Sequence, residues 1–179
     1  LRPLVQTSFC LGVVVGSSGS GKTQALRTIG EPSLAVEWDS ARCVADHFPD
    51  GPTAMRLLGA AGLNSVPQWL KPHHLLSNGE QYRANLARIL GGTHALLLID
   101  EFTSIVDRTV ARSLCVALRR FARTRGDIVV ASCHFDVLEW LEPSWVLNTN
   151  CNHVAHYHGA SIQPWKAHVF QQVAELTRG

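Results

Sequence analysis

The sequence predicts an α/β domain with a mainly parallel sheet flanked by helices. Three observations predict it. Ala95–Ile99 and Ile128–Ala131 are short apolar runs of the length of buried strands, as expected of strands covered on both sides. Stretches with helical spacing of apolar residues alternate with them. A strand-like run, Phe9-Cys10-Leu11-Gly12-Val13-Val14-Val15, breaks abruptly into a glycine–serine loop.

Each element follows from its residues. After the loop a helix should run from Lys22 to about Ile29, closed by Gly30 and Pro32. Leu34–Trp38 reads as a short strand. Met55, Leu58 and Ala61 have helical spacing, and Gly62 ends that helix. Ser77 opens a better-defined helix with Ala84, Leu86, Ala87, Ile89 and Leu90 apolar and Gly91-Gly92 as its stop. Val110, Ala111, Leu114, Ala117, Leu118 and Phe121 mark a long amphipathic helix ending at Gly126. A short helix is expected around Val137–Leu141, and residues 147–179 read as a terminal hairpin or appendage.

The chain has 179 residues, enough for one domain with a substantial core. It is 46% hydrophobic and 17% charged, with 16 basic against 14 acidic side chains, which argues against wholesale disorder and gives no strong electrostatic pull toward nucleic acid or membrane. No apolar run approaches the roughly 18 residues needed to span a bilayer, so no membrane insertion is expected. Cys10, Cys43, Cys115, Cys133 and Cys151 are odd in number and widely spread, which points to a reducing, cytoplasmic compartment. Position 1 is Leu, so the chain is read as an excised piece that leaves room for a fused or co-encoded domain.

Gly16-Ser17-Ser18-Gly19-Ser20-Gly21-Lys22-Thr23 fits G-x-x-x-x-G-K-[ST] between a predicted strand and a predicted helix, the P-loop of nucleoside triphosphatases. Small residues let backbone N–H groups turn inward as an anion nest, and the helix N-terminus adds partial positive charge. Lys22 would reach the β- and γ-phosphates of ATP, and the Thr23 hydroxyl would ligate Mg²⁺. Leu96-Leu97-Leu98-Ile99-Asp100-Glu101 is an apolar strand ending in two carboxylates. Asp100 would hold Mg²⁺ through water, and Glu101 would orient or deprotonate the attacking water. Leu76-Ser77-Asn78-Gly79-Glu80 is a capping box on its own terms and, equally, a second anion-binding helix end.

Together these segments resemble the ABC ATPase superfamily. Leu76–Glu80 is similar to its L-S-G-G-Q signature, with Asn78 and Glu80 standing where the family carries Gly and Gln. Glu101-Phe102-Thr103-Ser104-Ile105-Val106-Asp107 resembles E-P-T-S-x-L-D, with Asp107 in the D-loop, and Val129-Val130-Ala131-Ser132-Cys133-His134 resembles the strand ending in the switch histidine. The resemblance implies a head-to-tail homodimer around MgATP, with Ser77 and Gly79 of one copy meeting the γ-phosphate held by Lys22 of the other. It implies Glu101 as base and His134 as a γ-phosphate contact. The short span from Lys22 to Ser77 implies a reduced helical subdomain at about 50–76 within a single domain covering 1–179. Residues Trp69–Val146 look most like small soluble bacterial ABC-type ATPases. A transporter subunit is one alternative, and an ATP-gated dimerisation switch in nucleic-acid maintenance is another.

Arg108, Arg112, Arg119, Arg120, Arg123 and Arg125 put six positive charges on one helix, a stripe that suits either nucleic acid or water. Cys151, His153, His156 and His158 fit no recognised zinc spacing, and hairpin alternation accounts for them.

Overall fold

The structure is a computed structural model that describes residues 9–33, 36–151 and 153–156. Among these residues five strands form one sheet in the order β2-β3-β1-β4-β5: β1 Leu11–Val15, β2 Leu97–Ile99, β3 Ile128–Ser132, β4 Trp145–Asn148 and β5 His153–His156. The first four are parallel, and β5 returns antiparallel against β4. The α/β class with a mainly parallel sheet is as the sequence predicts. The hairpin differs in detail, because β4 begins at Trp145 and pairs with β1 inside the sheet rather than in an appendage.

Side chains alternate across this sheet with the period of two that strand geometry imposes. Leu11, Val13, Val15, Leu97, Ile99, Ile128, Val130 and Val146 face the larger core. Val14, Leu98, Val129, Ala131, Trp145 and Leu147 face a smaller one with Phe9 and Leu26. Gly12 lies opposite Trp145 in the β1–β4 register, and a Cβ there would stand 2.1 Å from the indole ring. Glycine is required at that position because the neighbouring strand's ring fills the space.

Among the described residues six α-helices accompany the sheet: α1 Lys22–Arg27, α2 Gly51–Ala60, α3 Val66–Trp69, α4 Asn78–Leu90, α5 Arg108–Arg125 and α6 Val137–Leu141. Asp50 caps α2, its carboxylate accepting from Thr53 N at 2.6 Å, with Pro52 in the first turn where a missing N–H costs nothing. The buried residues of α5, Ala111, Leu114, Cys115, Leu118, Phe121 and Ala122, fall on one stripe. Leu57 and Leu58 of α2, Ala84 and Ala87 of α4, and Leu114 and Leu118 of α5 belong to the same core as β1 and β3. The helices between the P-loop and α5 therefore share their hydrophobic interior with the sheet.

The strand expected at Leu34–Trp38 is not there as drawn. Leu34 and Ala35 lie outside the described residues, and Val36–Trp38 is not strand. The chain does touch the sheet edge at one point, Ser33 N donating to Leu98 O at 2.8 Å. Trp38 then turns away. Its ring stacks on His73 at 4.6 Å, Arg88 lies over it at 5.0 Å, and its Nε1 donates to Asn85 Oδ1 at 2.7 Å. Side-chain contacts with α4 replace the strand pairing that a β-prone sequence suggested.

Candidate active site

β1 delivers the chain to Gly16, and α1 begins at Lys22, so residues 16–21 bridge strand and helix over the carboxyl edge of the sheet. Gly19 (φ +77°) and Gly21 (φ +88°) occupy the left-handed region, and a Cβ at either would meet nothing within 4 Å. Backbone conformation rather than crowding demands glycine there. Gly16 is the opposite case: its Cβ would stand 2.1 Å from Thr149 Oγ1 and 2.4 Å from Ser20 Oγ. Lys22 folds over the loop, its Nζ donating to Gly16 O at 2.9 Å and Ser17 O at 2.7 Å.

Beside the loop is a cavity of about 360 Å³, lined by Ser18, Gly19, Gly21, Lys22 and Thr23 together with Asp100 and Glu101. Gln24 and Arg27 of α1 also line it, and the sequence motif gave no reason to single them out. Asp100 follows the last residue of β2. Its Oδ2 accepts from Thr23 Oγ1 at 2.6 Å and its Oδ1 from Glu101 N at 2.9 Å. Thr23 and Asp100 thus offer adjacent hard oxygen donors at the cavity wall, a donor set that fits Mg²⁺.

Glu101 itself is exposed and has a left-handed backbone, φ +49°. Phe102 is fully buried and its N–H donates to Ala131 O at 2.8 Å, which pins the turn and leaves Glu101 facing outward. Thr103 is also left-handed, φ +69°, which is costly for a β-branched residue. It is fully buried, its N–H donates to Tyr82 Oη at 3.3 Å, and its hydroxyl lies 3.5 Å from Ser132 Oγ. These contacts hold the unusual conformation. Burial also pushes the Tyr82 phenol up to about 12.

Ser77, Gly79, Asp107 and His134 are not among the cavity's lining residues. Ser77 precedes α4, and both its N–H and its Oγ–H donate to Glu80 Oε2 at 2.9 Å. Those bonds hold the Glu80 carboxyl below its ordinary range. A Cβ on Gly79 would lie 3.8 Å from Val106 Cγ1, so this helix end abuts the segment leading to Asp107. Asp107 caps α5, its Oδ1 accepting from Val110 N at 2.9 Å. His134 is half-buried just after β3, and its N–H donates to Ser132 Oγ at 3.1 Å. Burial lowers the pKa of its imidazole, Arg108 adds to that, and Asp136 opposes it.

Four of the six arginines of α5 are engaged within the chain. Arg108 pairs with Asp136 and lies over Trp140, Arg119 and Arg123 both pair with Glu142, and Arg125 donates to the carbonyls of His94 and Ala95. The charge stripe is largely internal bracing between α5 and its neighbours. Of the Cys/His group near the end, His158 lies outside the described residues.

No protein-family model matches the chain. Among curated proteins, the cytochrome c biogenesis ATP-binding export protein CcmA of Rhodospirillum rubrum is 28% identical over 160 positions, covering 70% of this chain and 68% of that protein. CcmA of Pseudomonas syringae pv. syringae is 32% identical over 120 positions, 64% of this chain and 52% of its own length. The phosphonates import ATP-binding protein PhnC of Hyphomonas neptunium is 37% identical over 81 positions, 45% of this chain and 31% of its own. The chain therefore spans between about a third and two thirds of the length of these relatives. In fold it is similar to the dimeric post-hydrolysis ATP-binding cassette MJ0796 bound to ADP and Pi, with a TM-score of 0.63 at 15% identity over 84% of this chain and 86% of that one. Along this chain the loop comes first, then the capped glycine-containing helix, the paired carboxylates and the histidine after β3. In sequence and in fold the chain is similar to ATP-binding cassette proteins of the P-loop NTPase class.

Proposed function

We propose that the chain binds MgATP in the cavity beside the P-loop and hydrolyses it to ADP and phosphate between two head-to-tail copies. The observation that carries this reading is the convergence of Lys22, Thr23, Asp100 and Glu101 on one cavity. Lys22 and the loop amides would neutralise the phosphates. Thr23 and Asp100 would hold Mg²⁺, which when bound offsets charge on the phosphate oxygens. Glu101 would orient a water and accept its proton as the water oxygen attacks the γ-phosphorus and the bond to the bridging oxygen breaks. Ser77, Gly79 and Asp107 are kept for the partner's nucleotide, since they sit away from this cavity at the N-terminal ends of α4 and α5, with Ser77 and Asp107 exposed. His134 is assigned to the γ-phosphate on family resemblance.

The test is the ATPase rate per protomer across protein concentrations, with Glu101→Gln as the control. A rate that climbs with concentration supports a site built from two chains. A Glu101-independent rate would overturn the assignment of the base.

A second reading has specific support. The curated relatives are transporter ATP-binding proteins by name. Met55, Val66, Leu70 and Leu75 are exposed apolar side chains on or beside α2 and α3, the region where the family resemblance puts a membrane partner. No described helix is long and apolar enough to cross a membrane, so that role would need a separate membrane protein. Co-purification with a co-encoded membrane protein, lost on Leu70→Asp, distinguishes a transporter subunit from a free-standing ATPase.

A further inference from the structure

We propose that Thr149 and Asn150, in the turn between β4 and β5, are positioning residues that set the P-loop for nucleotide. The inference rests on the MgATP reading above but goes beyond the P-loop motif, from which these residues are more than a hundred positions away.

The turn grips the loop at two points. Asn150 Oδ1 accepts from both the N–H and the Oγ–H of Ser17, each at 3.0 Å. Thr149 Oγ1 lies 2.6 Å from Ser20 Oγ and donates to Val15 O at 3.1 Å. A threonine hydroxyl carries one proton. With that proton on Val15 O, the bond to Ser20 runs from the serine to the threonine. Both loop hydroxyls therefore send their protons to the turn. The turn is itself fixed, Thr149 N donating to Val15 O at 2.8 Å and Asn150 N to Asn148 Oδ1 at 3.0 Å. The absence of a Cβ on Gly16 is what lets Thr149 approach so closely.

This changes the roles of two motif residues. Ser17 and Ser20, expected from the motif to bind phosphate, spend their side-chain protons on the brace, and Ser17 spends its amide there as well. Phosphate recognition falls to the remaining loop amides, Lys22 and Thr23. A glycine–serine loop of this length has large conformational freedom to lose on binding. Anchoring it at both serines removes part of that cost before the ligand arrives.

Four forms of the full chain test this: wild type, Asn150→Ala, Thr149→Val and Thr149→Ser. Each is measured for MgATP affinity by titration calorimetry, for kcat at saturating MgATP, and for amide hydrogen exchange of residues 16–21 without nucleotide. Asn150→Ala and Thr149→Val should each raise Kd about fivefold to tenfold, as the loss of one or two such bonds implies. They should speed loop exchange, with kcat at saturation within about twofold of wild type. Thr149→Ser keeps the hydroxyl and should restore both readouts. Wild-type Kd and unchanged exchange in Asn150→Ala and Thr149→Val would overturn the proposal, as would Thr149→Ser behaving like Thr149→Val. Failure of wild type to bind MgATP would sink the ATP reading instead, and the nucleotide-free exchange data would still decide the brace.

Discussion

The hydroxyl of Thr23 lies 2.6 Å from Oδ2 of Asp100, joining the first turn of α1 to the end of β2 at the cavity wall. Two oxygen donors 77 positions apart in sequence meet where a hard cation would be held. Thr23→Ala should shrink the gain in nucleotide affinity that Mg²⁺ confers by about 10–100-fold, the range seen when groups supporting a metal are removed. Affinity measured in EDTA should hardly change. Titrations with and without Mg²⁺ check this, and an undiminished Mg²⁺ dependence would remove Thr23 from the metal site.

Lys22 and Glu101 separate binding from chemistry. Lys22→Ala should abolish MgATP binding or weaken it beyond easy measurement, because its ammonium is a full positive charge folded over the loop's carbonyls. Glu101→Gln should bind normally, stop hydrolysis and accumulate a nucleotide-bound dimer. Equilibrium binding paired with sizing under MgATP reads both variants.

Gly12 and Trp145 give a prediction about packing alone. Gly12→Ala forces a methyl into the indole on β4, and overpacking of this kind costs about 1–3 kcal/mol. Trp145→Phe removes the colliding atoms, so the double variant should be more stable than the sum of the two single effects. Urea unfolding of the four forms measures the coupling. Additive losses would mean that the strand backbone moves instead of the ring.

The pH dependence of stability follows from two histidines. His73 is desolvated against Trp38 and His134 is desolvated after β3, and burial is the larger cause in each case. Both pKa values are lowered from 6.5, so the unfolded chain takes up these protons before the folded one does. The stability is fully present above about pH 6.5 and should fall as the pH drops through the depressed folded values. Urea midpoints at pH 7.5 and 5.5 should differ in that direction. His73→Gln should flatten part of the slope, and a slope unchanged in that variant would rule His73 out as a contributor.

Local signals made most of the fold legible. The P-loop is a contiguous string whose glycines specify backbone, and Ser77, Asp107 and Gly126 mark helix ends through bonds made within a few residues. What sequence could not supply was long-range. Trp38 looked like strand because its neighbours favour β structure, yet its partners Asn85 and Arg88 on α4 decide its place. The arginines of α5 could be read as facing nucleic acid or water, because their acidic partners Asp136 and Glu142 come later in the chain. Thr149 and Asn150 carried no motif at all. Only the parallel pairing of β4 with β1 brings them against Gly16, Ser17 and Ser20. Their signal was faint: a run of small polar residues at the end of an apolar strand.

α1 has only six residues, and such a helix is marginal by itself. Its flank nevertheless carries Leu26 into the smaller core with Val14, Leu98, Val129 and Trp145, and among the described residues it is the helix that closes this face of the sheet. Its N-terminus is the P-loop. An anion bound there would act on a helix that half the sheet depends on for cover, so the occupied protein should melt later than the empty one, by about 2.7 kcal/mol at a ligand concentration of 100 Kd. Nucleotide exchange would then be felt as a tightening and loosening of a whole hydrophobic layer, a mechanical signal carried by apolar side chains that never touch phosphate.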